Sequence, residues 1–562
     1  MRLYLCASLL LLLIPFTSST AEDVDLSVVH RIKAEAFRNS QVMDHMFHLS
    51  DVIGPRLSGS PEYRQAAEWA VSAMKEWGIK RVELERWGKF GRGWSLKRFS
   101  AHLVEPRYVP LNGAPMAWTA GTQGVVTAEV VAAPLYESKA QAKVAYDLVK
   151  LTKHLKEYAE KNKGALKGKI VLLDRIPEFE PREEPLSKRF NDEGLARLAR
   201  APEPVAAEPI EWPITSFPID EKERYRAYAT LPLEVTEDYS ARSMRVWGLL
   251  HAFLRDEGVV AAFHTSDEKT GGIIFVDDSA SWEEGAPVPP PMIVLPPETY
   301  AQIARLIEKE IPVKVELHLE VEFYDDDLDD WNVIAEIPGG EKKNELIMLG
   351  GHLDSWQAGT GASDNAAGCA VVMEALRILK ALDLKLDRTV RLALWGGEEQ
   401  GLFGSRGYVR THFGDPITME VKRGHARLSG YFNIDNGSGK IRGVYLQGND
   451  MMRPIFADWL APFRDLGVET ISIRNTRGTD HLSFDAVGLP GFQFIQDPLE
   501  YSTQTHHSNI DVYDHVVPTD LMQASAVLAS VVYHAATREE MLPRKPLPDP
   551  LPEKKPTDIG VW

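Results

Sequence analysis

The chain has 562 residues, 44% hydrophobic and 26% charged, a composition that excludes wholesale disorder and fibrous repeats. Lys and Arg number 63 against 81 Asp and Glu, a net charge of −18. This opposes nucleic acid or an anionic membrane as a partner, since both need a basic face.

Residues 1–21 read as a signal peptide: Arg2, an apolar stretch over 3–16, and small residues Ser19, Thr20 and Ala21 for cleavage. The stretch is short for a span of ~20 apolar residues, so anchoring by an uncleaved leader is the weaker reading. A secreted or periplasmic protein without stable membrane insertion is expected. Cys6 belongs to the leader and leaves Cys369 alone, which excludes an internal disulfide.

Residues 22 to about 85 read as helical, with apolar positions every three or four residues over 66–77 (AAEWAVSAMKEW) and a turn-rich bend over 54–61. From about 105 the texture changes to short β-branched runs at 124–132, 169–173 and 272–276, separated by a proline-rich stretch at 201–218. They predict a separate β-rich domain over 106–314, inserted into a domain formed by 22–105 and 315–541. From 313 onward, apolar runs at 313–321, 331–337, 345–351, 389–395, 428–434 and 491–495 alternate with helical patterns such as 366–382. The fold class is therefore α/β, a mostly parallel mixed sheet sandwiched by helices. Residues 542–562 form a Pro-rich tail that should be extended.

In such sheets ligands bind beyond the carboxyl ends of the strands. His352 and Asp354 follow ELIMLGG, and Asp364 stands in GASDNAAG at the next helix start. Glu398 and Glu399 follow TVRLALW, Asp435 follows LSGYFNI, and His506 and His507 follow GFQFI and a loop. Taken singly, His352 reads as a core histidine, the glutamates as a solvated helix start, Asp364 as an N-cap and Asp435 as a turn residue. Together they deliver His, Asp and Glu to one rim. Imidazole and carboxylate suit zinc, one carboxylate can bridge two ions, and two ions would offset the repulsion among the acids.

The ordered motifs GHLDSW, GASDNAAG, GGEEQG, NIDN and THHSNID resemble the co-catalytic dizinc exopeptidases. That family includes bacterial leucyl aminopeptidases, carboxypeptidase Q and, more distantly, glutamate carboxypeptidase II. The resemblance covers roughly 40–105 and 315–540, and LKGKIVLLD at 166–174 looks like an inserted protease-associated domain. It implies two Zn2+ per chain, with His352 and Asp435 holding one, Glu399 and His507 the other, and Asp364 bridging. It assigns Glu398 as general base and Asp354 as the carboxylate that orients His352. It also implies a cis bond between Asp364 and Asn365. His507 is preferred to His506 because the family's His-x-x-x-Asp spacing runs to Asp511. His506 occupies the position where some relatives carry an oxyanion-stabilising tyrosine. Asp480-His481 matches a family segment near the site.

The implied activity is peptide-bond hydrolysis near chain ends, on peptide or dipeptide substrates, with aminopeptidase polarity preferred. Dipeptidase or carboxypeptidase activity of the carboxypeptidase Q type stays open. So do a glutaminyl cyclase-like acyltransferase with one zinc and a non-catalytic receptor-like binding protein. The insertion could cap the cleft, select peptide length or mediate a homodimer. The acidic run Tyr324 to Trp331 reads as a charged loop, lacking the glycine and terminal glutamate of a calcium loop. The sequon at Asn436 adjoins Asp435 and is discounted, since a glycan there would block the site. Cys369, on the apolar face of its helix, reads as buried and inert.

Overall fold

The computed structural model describes residues 22–179, 181–203, 209–265, 271–276 and 279–556. The proposed leader and residues 557–562 lie outside them.

Two eight-stranded sheets organise the chain. The first runs, edge to edge, Arg81–Lys89, Asp329–Ile337, Arg388–Trp395, Lys342–His352, Leu428–Asn433, Gly491–Gln496, Ile441–Tyr445 and Thr470–Ser472. Its centre is parallel, from Arg388–Trp395 through Lys342–His352 and Leu428–Asn433 to Gly491–Gln496. The first two pairings from the Arg81–Lys89 edge are antiparallel. The central strands are apolar on both faces because both are covered. Ile347, Leu349, Leu392 and Leu394 pack with residues of helices Leu26–Arg38, Pro61–Glu76, Ala367–Ala381 and Pro518–Thr537. Met348, Ala393 and Trp395 pack with Tyr408 and Val409 of helix Phe403–His412. The parallel centre places the ends of four strands on one rim.

The second sheet takes Gly93–Glu105 and Lys314–Tyr324 as well as strands of the insertion, so it reaches beyond 106–314 at both ends. Val126–Ala132 and Ile170–Leu172 are strands, as their composition implies. The insertion carries more helix than a β-rich reading expects: Leu148–Asn162, Leu233–Glu257 and Pro297–Glu308 cover its sheet. Leu148, Leu151, Leu155 and Tyr158 recur at helical spacing and are buried, a pattern that the neighbouring β-branched runs masked.

Two further expectations are corrected. Helix does not continue to 85, because strand Arg81–Lys89 begins at 81, where RVELERWGK stops following a helical period. The run 272–276 forms no ladder strand. Phe275 makes an isolated bridge to Ser508, Val276 N donates to His507 O at 2.9 Å, and Ile274 N donates to Asn509 Oδ1 at 2.7 Å. Those backbone groups are satisfied by the loop that carries His507.

The tail lacks regular structure through residue 556 but is not free. Leu542 is buried, Leu551 N donates to Ile417 O, and Lys555 N donates to Trp212 O. The acidic run is neutralised by arginines, with Arg92 on Asp325 and Arg86 on Asp327 and Asp329. Asp330 is buried and accepts from Gly59 N and Trp331 N.

Candidate metal centre

The rim gathers all eight sequence-predicted residues. His352 ends its strand, Asp364 lies in the middle of the turn Ala362–Ala366 before helix Ala367–Ala381, and Glu398 and Glu399 follow strand Arg388–Trp395. Asp435 follows Leu428–Asn433, and His506 and His507 follow the short helical turn Tyr501–Thr505. The Asp364–Asn365 peptide bond is cis.

Asp364 faces both halves of the site. Its Oδ1 lies 3.2 Å from His352 Nε2 and its Oδ2 lies 3.3 Å from His507 Nε2. On one side Asp435 Oδ1 stands 3.5 Å from His352 Nε2. On the other, Glu399 Oε2 stands 3.0 Å from His507 Nε2. Glu398 Oε2 lies 3.9 Å from His352 Nε2, on the side of Asp435. His506 stacks on His507 with ring centroids 3.7 Å apart, its Nε2 3.7 Å from Asp364 Oδ2.

Electrostatics records the crowding. Burial, reinforced by the charge of Asp364, pushes Glu399 up to about 7. Burial also raises Glu398 well above the usual carboxylate range, with Asp435, Asp480 and Glu399 adding to it against His352. Asp364 is held well below that range despite burial, by the imidazoles of His352 and His507 beside it. Burial disfavours charge on His507, but the carboxylates of Glu399 and Asp364 outweigh it and raise the imidazole to about 10.

These residues fit a divalent cation. Asp364 Oδ2, Glu399 Oε1 and His507 Nδ1 are buried and lack a hydrogen-bond partner among the described residues. Three overlapping groups each bring ligand atoms within 4.8 Å of one another: His352, Glu398 and Asp435; His352, Asp364 and Glu399; Asp364, His506 and His507. The donors are imidazole nitrogen and carboxylate oxygen, the set zinc takes in hydrolytic sites. Cys369 takes no part, since its Sγ donates to His352 O at 2.9 Å and burial pushes its thiol up to about 12.

Supporting residues hold the loops that carry these side chains. Asp354 touches His352 Nδ1 through its backbone carbonyl at 3.1 Å, its carboxylate standing 3.6 Å away. That carboxylate accepts from Glu398 N and Glu399 N, both at 3.2 Å, and from Ser58 Oγ at 2.9 Å. It therefore fixes the loop of the two glutamates as well as facing the histidine. Asp511 accepts from Ser363 N at 2.7 Å and Asp364 N at 3.0 Å, so it orients the Asp364 turn. Asp480 and His481 are buried close behind, and burial raises Asp480 to about 8 and lowers His481 to about 3.

Several supporting residues escaped the sequence reading. Arg56 is fully buried and donates to the carbonyls of Leu49, Gly54, Leu353, Thr360 and Gly361, tying the 54–61 bend to the loops flanking Asp354 and Asp364. Its partners are main-chain atoms, which leave no mark on spacing. Tyr501 packs 4.8 Å from His506 and under Gly437. Glu234, buried in helix Leu233–Glu257, receives Arg406 and Arg410 at 2.8 and 2.7 Å. Arg406 Nη1 in turn donates to Gly401 O at 3.0 Å, beside the two glutamates.

The site opens into a cavity of about 1380 Å³. One wall is the rim, and the other comes from the insertion, including Thr236, Ser240 and Trp247 of helix Leu233–Glu257 and Trp282.

Comparison with known proteins bears on this geometry. Residues 332–532 match the model of peptidase family M28. Carboxypeptidase Q of Bos taurus is 31% identical over 499 residues, 88% of this chain and 85% of that protein. Aminopeptidase YwaD of Bacillus subtilis (strain 168) is 27% identical over 209 residues, 36% of this chain and 44% of that protein. A solved peptidase M28 precursor from Shewanella amazonensis SB2B shares the fold with a TM-score of 0.61 at 23% identity, covering 93% of this chain and 98% of that one. The match to carboxypeptidase Q spans both sheets, and the family model covers the strands that precede the candidate ligands. The chain belongs to peptidase family M28, the dizinc exopeptidases, and is a metallopeptidase.

Proposed function

We propose that this metallopeptidase is an exported exopeptidase that cleaves short peptides at a two-zinc centre. The observation that carries this reading is Asp364, with one carboxylate oxygen toward each of two histidines, 3.2 and 3.3 Å away. His352 and Asp435 would hold one ion, Glu399 and His507 the other. When bound, zinc polarises the scissile carbonyl and makes the attacking water more acidic. Glu398 takes the water's proton and returns it to the leaving amine, a cycle suited to a carboxyl whose buried setting raises its proton affinity. The carboxylate of Asp354 holds the main chain of Glu398 in place during this exchange. His506, half-buried beside Asp364, serves as the hydrogen-bond donor to the oxyanion.

Walls on both sides of the cavity support small substrates, with the inserted segment, read as protease-associated-like, closing the cleft over them. Carboxypeptidase Q matches across most of its length and the aminopeptidase YwaD over 44% of its own. This favours dipeptidase or carboxypeptidase polarity over the aminopeptidase polarity that the motifs first suggest. The filled ligand and base positions weigh against a receptor-like binding role. The apolar leader supports export, and no described helix is long and apolar enough to cross a membrane.

The test is hydrolysis by zinc-loaded protein of a free dipeptide and of a tetrapeptide blocked at both ends. Cleavage of the first alone supports exopeptidase action; equal cleavage of both contradicts it.

A further inference from the structure

The cavity that holds Glu398, Glu399 and His507 is also lined by Arg477. Arg477 follows strand Thr470–Ser472 and precedes the buried Asp480-His481 pair. Its Nη2 donates to Leu231 O at 2.5 Å, which pins the guanidinium from the side of the insertion. Guanidinium carries five N–H donors. Among the described residues this is the only hydrogen bond Arg477 makes to protein, and no carboxylate lies within 4 Å of it. Glu237, the acid that attracts it at longer range, stands 3.7 Å from Arg406 instead. Burial without a close anion holds the Arg477 guanidinium down to about 10. A cation fixed at one corner, with its remaining donors on a substrate-sized cavity, presents a fork that matches a carboxylate.

We propose that Arg477 is a specificity residue that binds the free α-carboxylate of the substrate, so that the residue removed is the one carrying that carboxylate. The substrate class is then dipeptides and short peptides with an unblocked C-terminus. This rests on the exopeptidase reading above and deepens it by fixing which end is recognised. The cation and the candidate metal ligands line one cavity together with Gly401, whose carbonyl accepts from Arg406.

The experiment compares Ala-Leu with its C-terminal amide, Ala-Leu-NH2, on zinc-loaded wild type, Arg477→Met and Arg477→Lys. It also compares inhibition by leucine with inhibition by leucinamide. Wild type is expected to prefer the acid. Arg477→Met should lower kcat/KM for Ala-Leu by about 100-fold, the scale of truncating one partner of a buried charge pair. It should leave the amide within about twofold and abolish the preference of inhibition for leucine, while Arg477→Lys recovers part of the loss. Equal use of acid and amide by wild type, or equal losses on both substrates in Arg477→Met, would overturn the assignment. If Arg477→Met fails to fold, the wild-type ratio and Arg477→Lys decide. If zinc-loaded wild type cleaves no peptide at all, the exopeptidase reading falls, and Arg477 falls with it.

Discussion

Glu398 sits 3.9 Å from His352 Nε2, its backbone fixed by Asp354, its carboxyl buried among other acids. Its neighbour Glu399 is the one that meets His507 at 3.0 Å. The proposed division into a proton carrier and a ligand follows from the different histidines that the two carboxylates face. Glu398→Gln should therefore lower kcat by about 1,000-fold, within the range of general acid–base catalysis, while zinc content measured on the same sample stays at the wild-type level. Loss of zinc with activity would instead make Glu398 a ligand. The gathering of these side chains at one rim was legible because most of them follow a recognisable apolar strand and Asp364 stands at the next helix start. Arg56, Ser58 and the loop-holding role of Asp354 were not legible. Their partners are backbone carbonyls and amides, or residues hundreds of positions away, and neither leaves a periodic signal.

At the scale of elements, helix Leu233–Glu257 does two things for the site. It supplies cavity wall, and through Glu234 it holds Arg406 and Arg410 of helix Phe403–His412. Glu234→Ala leaves the buried Arg406 only the more distant carboxylate of Glu237, 3.7 Å away, which should reduce stability by about 3 kcal/mol. It should also lower kcat more than it raises KM, because Arg406 anchors Gly401 O beside the glutamates. Denaturant unfolding and steady-state kinetics check both; an unchanged kcat would detach the helix from catalysis.

The same helix carries His251, buried beside His264 and lowered from 6.5 to about 4, chiefly by burial and then by the charge of His264. The folded state thus prefers neutral His251. Its contribution is present above pH 6.5 and is lost as pH falls through about 4, a loss of about 3 kcal/mol when complete. His251→Phe should flatten the fall of Tm between pH 6.5 and 4; an unchanged slope would assign acid sensitivity elsewhere. The composition reading missed this helix because short β-branched runs dominate the segment around it. It read 272–276 as a strand because a run of Ile, Phe and Val satisfies a strand pattern whatever its hydrogen bonds join.

Across the whole molecule, the parallel centre of the first sheet explains why residues from 352 to 507 meet at one rim. Alternation of apolar strands with helices made that sheet readable in advance. Its antiparallel edge and the recruitment of Gly93–Glu105 and Lys314–Tyr324 into the second sheet were not readable, because pairing partners lie far apart in sequence. An aromatic cluster of Phe90, Trp118, Trp282 and Trp356, with Phe403 against it, joins the two sheets next to the cavity. The tail adds a second tie, with Lys554 Nζ 2.5 Å from Asp238 on the cavity-wall helix. The two halves meet around a centre whose acids repel one another in the absence of cations.

Elemental analysis of zinc, taken alongside peptide hydrolysis as chelated protein is titrated with Zn2+, addresses that centre most directly. The account predicts no turnover in the stripped protein and recovery of activity that saturates at two zinc ions per chain. Full turnover in metal-free protein, or saturation at one ion, would contradict it.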